Sequence, residues 1–309
     1  MEFKHVPIML SQVIDGLNIK PNGIYFDGTI GGAGHSKEIL KRLDTGLLIG
    51  CDKDKEALFV SETRLSQISS NFTLVHNDYK NFAKILKMLK IKKVDGILLD
   101  LGVSSYQLDN AERGFSYRFD APLDMRMDRS SGLSAYDVVN TYSKQDLERI
   151  LYSYGEEPFT KNIVKNIIKA REIAPIKTTL ELVEIIKNSV PAKVLKKGHP
   201  AKRVFQAIRI EVNGELKDLE NTLKDMIDSL NKGGRIAVIT FHSLEDRIVK
   251  NVFKECLADC ICPKELPVCV CNHKASIKLV NKKPLEATDQ ELEQNSRSQS
   301  AKLRIAQKI

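Results

Sequence analysis

An apolar run that ends in an acid and then a cluster of glycines constrains the fold of this chain more than any other segment; it covers residues 23–35. Helical spacing follows over 36–43, so the order is strand, glycine loop, helix. Glycines let a backbone turn tightly and come close to a ligand, because no side chain intervenes. The start of the helix adds N–H groups that no helical carbonyl accepts. The segment therefore predicts a loop that binds a nucleotide-like cofactor.

Two residues narrow the identity of that cofactor. A dinucleotide-binding loop has the spacing G-x-G-x-x-G, and here Lys37 stands where the last glycine belongs. Asp27 lies at the end of the predicted strand, where a carboxylate repels a pyrophosphate and attracts a cation. S-adenosylmethionine carries an ammonium and a sulfonium group. We therefore predict S-adenosylmethionine, and a nicotinamide-dependent oxidoreductase is the alternative that these residues disfavour.

Three further apolar runs indicate more strands of the same sheet. Residues 47–52 end in Asp52, about 20 residues past the glycines, the spacing at which an acid meets a ribose in nucleotide-binding folds. A solvated strand end or a helix cap is the alternative role of Asp52. Residues 72–76 and 94–101 follow, with a helical pattern between them. Strands that alternate with helices predict an α/β fold with a parallel, doubly wound sheet, whose ligands bind at the carboxyl ends of the strands. The acids at those ends are Asp27, Asp52, Asp78 and Asp100.

The alternation of strands and helices stops after Gln107 and resumes at 236–241, which predicts a fifth strand. Residues 109–132 are rich in Gly, Ser, Asp and Arg, and helical patterns fill most of the remaining interval. Two late runs, 276–280 and 302–306, are expected to close the sheet as an antiparallel pair. The predicted helices of the interval and just after it are 143–154, 159–170, 178–189, 201–213 and 215–230. We therefore expect an inserted helical domain, with the division 1–108, 109–205 and 206–309.

Basic residues of the insert indicate a polyanionic partner. Residues 113–119 interleave arginine with aromatic residues, a combination that stacks on splayed bases and binds phosphates. A second basic cluster covers 193–203 and includes Lys193, Lys196, Lys197 and His199. The chain has 48 basic and 40 acidic residues, a net charge of +8, which agrees with such a partner. A solvated face is the alternative for each cluster. The candidate RNA-binding residues are Arg113, Arg118, Arg126, Lys202 and Arg203.

Other classes of protein lack support in the sequence. No apolar segment is long enough to span a membrane, and the first residues do not resemble a secretory signal. We expect a cytoplasmic chain with reduced cysteines. Five of the six cysteines follow residue 255, and four of them form two C-x-C pairs near His273. Structural zinc sites usually use wider C-x₂₋₄-C pairs, so we favour plain thiols and no metal, with structural zinc as the alternative. The four are Cys260, Cys262, Cys269 and Cys271.

The motifs of the chain, in their order, resemble those of the bacterial 16S ribosomal RNA cytosine-N4 methyltransferase family (RsmH, formerly MraW). The matching segments, which together cover nearly the whole chain, are 27–36, 95–105, 113–116, 122–128, 154–157, 205–213 and 241–249. The resemblance implies a class I (Rossmann-like) methyltransferase fold with an inserted RNA-recognition domain. It also implies methylation of the N4 amine of a cytosine in the decoding region of the small ribosomal subunit, and a homodimer, for which the sequence itself has no signal.

The resemblance further implies which residues contact the methyl donor. Tyr79 stands where relatives often have Phe, which preserves an aromatic face for the adenine. The full set carried over from the family is Ala33, Gly34, His35, Asp52, Tyr79, Asp100 and Gln107.

Catalysis requires a positioned cytosine amine, whose lone pair is delocalised into the ring. A carboxylate at the end of the fourth strand can accept a hydrogen bond from the amine as positive charge grows there, so we assign Asp100 as donor-positioning residue and candidate acceptor. A structural cap on the following turn is its alternative. For His35 and His242 we favour structural roles over base catalysis.

A second hypothesis is an RNA-binding factor for ribosome assembly that keeps the fold without turnover. The acids Asp27, Asp52 and Asp100 argue against it, because a factor that only binds RNA has no need of a site for a cationic donor.

Overall fold

The structure of the protein is a computed structural model that describes residues 7–130, 132–196, 198–260, 262, 268–271 and 273–309. The chain divides into two compact units. We name Met1–Gly102 together with Lys217–Ile309 the sheet unit, and Val103–Leu216 the helical unit. None of the helices in the described ranges has the length and apolar character that crossing a bilayer requires.

One seven-stranded sheet forms the centre of the sheet unit, in the spatial order β3-β2-β1-β4-β5-β7-β6. Strands β1 to β5 are parallel, whereas β7 lies antiparallel between β5 and β6. The predicted parallel sheet and the late antiparallel pair are therefore confirmed. The strands are β1 Ile24–Asp27, β2 Leu47–Asp52, β3 Phe72–His76, β4 Val94–Asp100, β5 Leu230–Thr240, β6 Ile277–Leu279 and β7 Lys302–Lys308.

Helices connect the first strands as the alternating pattern predicts. Phe82, Ile85 and Leu86, whose spacing predicted a helix, are buried on one side of α4. The first helix, α1, escaped the sequence analysis, although Val13, Ile14 and Leu17 on its buried face recur at helical spacing. These helices are α1 Leu10–Leu17, α2 Gly34–Leu40, α3 Lys55–Leu65 and α4 Phe82–Met88.

The helical unit has a hydrophobic core of its own, to which several of its helices contribute buried residues. Two of its helices begin at the caps that the sequence predicted: Ser143 caps α7, and Thr178 forms the predicted capping box of α9 with Glu181. The helices are α5 Ser105–Asp109, α6 Ala135–Thr141, α7 Lys144–Ser153, α8 Thr160–Ile173, α9 Thr179–Lys187, α10 Ala192–Leu195 and α11 Ala201–Asn213.

The limits of the helical unit differ from the expected insert, 109–205. The unit begins at Val103 and ends at Leu216. Helix α11 explains the later end, because Val204, Phe205 and Ile208 are buried in the same core as the preceding helices.

The chain then returns to the sheet unit through α12 Leu219–Asp228, α13 Ser243–Leu257 and α14 Asp289–Gln294. Two cores cover the two faces of the sheet, because successive side chains of a strand point to opposite faces. Tyr25 belongs to one core and Phe26 to the other, and Leu48 and Ile49 divide in the same way. A sheet buried on both faces exposes its functional residues at the strand ends.

Candidate active site

The carboxyl ends of three adjacent strands bring three of the predicted acids to one edge of the sheet. Asp27 ends β1, Asp52 ends β2 and Asp100 ends β4, and β1 pairs with both neighbours. Asp78 follows β3 and lies 3.2 Å from the Lys53 ammonium, so its charge is already paired. The first three acids are therefore the ones that define the candidate site.

The loop between β1 and α2 has glycine where the backbone or its neighbours require it. Gly31 has a φ of +50°, in the left-handed region that glycine tolerates. A Cβ on Gly28 would lie 2.6 Å from Leu99 Cδ2, and one on Gly34 would lie 2.4 Å from Pro7 Cγ. Ala33 also has a left-handed φ, +60°, although it carries a side chain. Packing within the sheet unit thus fixes the path of this loop.

Asp27 holds the two sides of the loop together. Its carboxylate accepts hydrogen bonds from the Ser36 hydroxyl at 2.6 Å and from the Thr29 N–H at 3.1 Å. The side chain is almost fully buried, and burial raises the pKa of Asp27 to about 6 although these two hydrogen bonds lower it; the charge of Asp52 adds to the rise. Neither Thr29 nor Ser36 was identified from the sequence as a partner of Asp27, and Ser36, nine residues further on, had no signal there.

Asp52 ties β2 to the same loop. Its Oδ2 accepts the N–H of Gly31 at 2.9 Å, and its Oδ1 accepts the N–H of Asp54 at 2.9 Å. Burial raises the pKa of Asp52 to about 6 against these hydrogen bonds. A carboxylate oxygen accepts more than one hydrogen bond, so the ribose role predicted for Asp52 is compatible with both contacts. That role stays a prediction.

Asp100 has an acceptor that nothing in the structure uses. Its Oδ1 is fully covered, and none of the residues that the structure describes donates a hydrogen bond to it, although the side chain as a whole is 27% exposed. Burial, together with the charges of Asp27 and Glu245, raises the pKa of Asp100 to about 8. A buried acceptor without a donor is costly, and a cation or a donor group supplied by a ligand would relieve that cost.

The His35 ring is buried and faces Asp100. Its Nε2 lies 2.9 Å from the carbonyl oxygen of Ile8, which can only accept, so Nε2 carries the proton and donates. Its Nδ1 lies 3.8 Å from Oδ2 of Asp100. Nδ1 is then the ring nitrogen that carries no proton. The structural role that the sequence favours for His35 stays a prediction.

His242 is the N-terminal cap of α13. Its Nδ1 accepts the N–H of Glu245 at 3.4 Å, and its Nε2 lies 3.1 Å from the Glu245 carboxylate. The same carboxylate accepts the N–H of Phe241 at 2.9 Å. These contacts favour the structural role over base catalysis for His242 as well.

Tyr79 lies beside the start of the glycine loop. A Cβ on Gly28 would lie 2.9 Å from the Tyr79 Cβ, so glycine is what lets the two segments approach. Tyr79 begins a short 3₁₀ turn after β3, which Asp78 caps, and the residue is only 9% exposed. The structure therefore brings Tyr79 to the same loop as Ala33, Gly34 and His35.

Gln107, the remaining predicted donor contact, belongs to the helical unit and is buried. Its Oε1 accepts the N–H of Ser104 at 3.1 Å, and its own N–H donates to the Ser104 hydroxyl at 3.2 Å. These bonds form the capping box of α5. A contact between Gln107 and the donor stays a prediction.

Arg113 has a different role from the predicted one. It is the largest fully buried side chain of the described residues, and its Nη2 donates to the carbonyl oxygens of Arg126 at 3.0 Å and Met127 at 2.9 Å. An arginine that is 1% exposed has no surface for a phosphate or a base. We therefore correct the RNA-binding assignment of Arg113: its guanidinium holds the irregular segment after α5 in place.

Arg118 lies in a basic and aromatic surface that joins the two predicted clusters. The Tyr117 ring stacks on the His199 ring with centroids 4.4 Å apart. Burial lowers the pKa of His199, and the charges of Lys187 and Arg118 lower it further, which places the imidazole near these two cations. Phe119 beside them is 52% exposed. The stacked pair thus links residues 113–119 to residues 193–203; Lys197 lies outside the described residues.

The other candidate RNA-binding residues differ in whether their charge is already paired within the protein. Arg126 forms a bidentate pair with Asp124, with Nε–Oδ1 at 2.7 Å and Nη2–Oδ2 at 3.0 Å. Burial raises the pKa of Asp124, but the hydrogen bonds from Arg126 lower it further, so the net shift is downward. Lys202 and Arg203 are exposed on the first turn of α11, and Arg203 donates to the carbonyl oxygen of Glu156 at 3.0 Å. Arg118, Lys202 and Arg203 are thus the accessible candidates.

The comparison with known families identifies the family of this chain. A family model described as the MraW methylase family matches residues 2–309. The chain belongs to the MraW methylase family. The resemblance noted from the motifs is therefore confirmed, and membership makes this chain a methyltransferase rather than an oxidoreductase.

Similar proteins match this methylase from end to end. It is 55% identical to the ribosomal RNA small subunit methyltransferase H of Finegoldia magna, and 56% identical to that of Clostridium botulinum. Both alignments cover 100% of this chain and of the relative. A solved rRNA methylase from Streptococcus thermophilus covers 99% of both chains at 13% identity with a TM-score of 0.42, a similarity too low to carry an argument about the site.

Proposed function

We propose that this methylase transfers a methyl group from S-adenosylmethionine to the exocyclic N4 amine of a cytosine in 16S ribosomal RNA. The observation that carries the proposal is the buried Oδ1 of Asp100, to which no described residue donates a hydrogen bond. Asp100 ends β4 at the same edge of the sheet where Asp27 ends β1 and Asp52 ends β2. The small-subunit specificity is that of the relatives, which carry the name at 53–56% identity.

The residues of the sheet unit suit a cationic donor. When bound, S-adenosylmethionine supplies a methyl group already activated by its sulfonium. The carboxylates of Asp27 and Asp100 balance positive charge, Asp52 accepts from the ribose hydroxyls, and Tyr79 offers its ring to the adenine. The raised pKa values of the three acids support this assignment, because buried acids next to one another favour an added cation.

Asp100 is also the candidate catalytic residue. The cytosine amine is a weak nucleophile because its lone pair is delocalised into the ring. Acceptance of an N–H from that amine by Asp100 orients the nitrogen and stabilises the positive charge that grows on it. The proton then leaves to water, so neither His35 nor His242 is needed as a base.

The helical unit is proposed to bind the RNA. Arg118, Lys202 and Arg203 supply phosphate contacts, and the aromatic residues near His199 supply stacking surfaces. A surface that reads shape suits a folded small subunit better than free RNA. Cytoplasmic action, which the sequence led us to expect, and a homodimer, which the family resemblance implies, complete the proposal. Sedimentation equilibrium tests the dimer, and a single-chain mass at micromolar concentration would contradict it.

The function is tested on small subunits from a strain that lacks this gene. The protein and S-adenosylmethionine are added to purified subunits and, in parallel, to free 16S ribosomal RNA, and methylated cytosines are located by mass spectrometry. We expect N4-methylcytosine at one position in the subunits only. Asp95→Asn serves as the active control for Asp100→Asn, because Asp95 lies at the start of the same strand and pairs with Lys20 at 3.3 Å. Absence of N4-methylation with the unsubstituted protein would refute the proposal.

A further inference from the structure

Four cysteines of the sheet unit converge, although the sequence favoured plain thiols there. The sulfur atoms of Cys260, Cys262, Cys269 and Cys271 all lie within 4.8 Å of one another. The distance from Cys269 Sγ to Cys271 Sγ is 3.6 Å, and from Cys271 Sγ to Cys260 Sγ it is 3.8 Å. These separations exclude disulfide bonds, whose sulfurs are about 2.0 Å apart, so all four cysteines are thiols that no disulfide joins.

The spacing matches the coordination shell of one metal ion. Tetrahedral zinc binds thiolates at about 2.3 Å, which puts neighbouring sulfurs about 3.8 Å apart. A cluster of several irons distributes its thiolates over different metal atoms and holds them further apart. We propose that these four cysteines bind a single structural zinc ion.

Backbone groups are oriented toward the sulfurs as they are around a metal thiolate. The N–H of Cys262 donates to Cys260 Sγ at 3.4 Å, and the N–H of Val270 donates to Cys262 Sγ at 3.4 Å. Hydrogen bonds from outside the coordination shell orient the ligands and stabilise their negative charge. Each bond comes from within or beside a C-x-C pair, so the short spacing places a backbone donor next to a ligand.

Apolar contacts do not hold the described part of this loop in position. Of the described residues between α13 and β6, none is buried, and Val268 and Val270 are each 70% exposed. The ends of the loop are joined at the stem, where the N–H of Ser276 donates to the Cys256 carbonyl at 2.8 Å. Beyond the stem, a metal ion supplies the cross-link that apolar contacts do not.

His273 is not a ligand, in contrast to the zinc alternative considered from the sequence. The group whose ligand atoms lie within 4.8 Å of one another contains the four cysteines and not His273. The His273 Nε2 lies instead 3.0 Å from the carbonyl oxygen of Glu255, at the stem of the loop. Four thiolates then complete the tetrahedron and leave no position for water or substrate, which makes the ion structural.

The test measures the metal in the whole protein. Protein purified without chelators is analysed for zinc and iron by mass spectrometry, and we expect about one zinc per chain and no stoichiometric iron. Cys260→Ser with Cys271→Ser, one change in each pair, should reduce the zinc at least tenfold. Val270→Ser is the matched control, because its exposed side chain lies between two of the ligands and should leave the zinc in place.

A second measurement separates loss of metal from loss of folding. The double serine variant should retain the far-ultraviolet circular dichroism of the unsubstituted protein, since none of the four cysteines is buried. Cobalt(II) added to the zinc-free protein should show the intense thiolate charge-transfer and tetrahedral d–d absorption, and the double variant should not. Protein without zinc that also fails to bind cobalt, with four reactive thiols or with disulfides, would overturn the proposal, as would stoichiometric iron.

Discussion

The buried carboxylate of Asp100 lowers the stability of the free protein and favours the binding of a cation. Its Oδ1 accepts no hydrogen bond from any residue that the structure describes. Its pKa is raised to about 8, so the charged form is disfavoured in the free protein. A bound cation reverses that penalty. The sequence could indicate that an acid ends the strand, but not that a neighbouring acid and Glu245 would raise its pKa, because those contacts depend on the fold.

The first prediction concerns the pH dependence of stability. The folded pKa of Asp100 lies above its ordinary value of 3.8, so between about pH 4 and 8 the folded chain retains a proton that the unfolded chain has released. The free energy of unfolding therefore falls as pH rises through this window, by at most about 1.4 kcal/mol per pH unit for this group. Asp100→Asn should flatten the fall above pH 6 in urea titrations, and Asp95→Asn should leave it unchanged. An unchanged slope in the Asp100→Asn variant would refute the shift.

The second prediction concerns the donor. Since a cation favours the ionised carboxylate, binding of S-adenosylmethionine should release a proton below pH 8, and its affinity should rise with pH up to that value. Calorimetry in two buffers of different ionisation enthalpy measures the release directly. We expect Asp100→Asn to weaken binding at least tenfold and to lose the proton release. Affinity independent of pH between 6 and 8 would argue against Asp100 as a donor contact.

The third prediction separates two arginines that the sequence placed together. Arg113→Ala removes the buried guanidinium, leaves the carbonyl oxygens of Arg126 and Met127 without its hydrogen bonds, and creates a cavity. We therefore expect the free energy of unfolding to fall by about 3 kcal/mol or more. Arg118→Ala, at an exposed position, should leave stability within about 0.5 kcal/mol. It should instead weaken binding to the small subunit and reduce the salt slope by about one ion. Equal effects of the two changes on stability would contradict the structure.

At the scale of elements, the glycine loop has two kinds of glycine that the sequence does not distinguish. Gly34 is required by packing, because an added Cβ would meet the Pro7 ring at 2.4 Å. Gly32 would meet only the Arg64 guanidinium at 3.0 Å, the end of a flexible side chain. The pattern of glycines predicts a loop, whereas the role of each glycine depends on segments far away in sequence.

The fourth prediction tests that distinction. Gly34→Ala should lower the free energy of unfolding by about 1–3 kcal/mol, as overpacking does, and should also weaken donor binding by displacing the loop. Gly32→Ala should change stability little, since Arg64 can move. Urea unfolding and donor calorimetry on both variants make the comparison. A Gly34→Ala protein as stable as the Gly32→Ala protein would show that Pro7 does not restrict the loop.

At the scale of the whole molecule, the parallel sheet and its antiparallel closing pair followed from the sequence because both depend on periodicity, whereas the spatial order of the strands was not predicted. The first four strands and the closing pair are where the apolar runs predicted them, whereas β5 begins at Leu230, six residues before the predicted start at 236. Periodicity does not predict which charged side chain is buried or which cysteines lie close together. Arg113 lies inside the helical unit, and the four thiols converge, through contacts between residues that no repeating pattern relates.

The fifth prediction follows from the separate cores of the two units. Since the acids at the ends of β1, β2 and β4 all belong to the sheet unit, donor at about a hundred times its dissociation constant should stabilise that unit by about 2.7 kcal/mol. Hydrogen exchange with and without donor measures this by segment. We expect slower exchange around residues 24–35 and in β4, and little change in α7 to α9. Uniform protection of both units would show that they unfold as one.

The position of β7 determines what a truncating mutation does to the sheet. This strand is encoded after β6 yet lies between β5 and β6, and it is the only partner of β6 within the described sheet. Translation that stops before Lys302 would leave the backbone groups of β5 and β6 that pair with β7 without partners. A nonsense codon or frameshift before Lys302 should therefore yield a product that proteases degrade, rather than a shortened enzyme that competes for subunits.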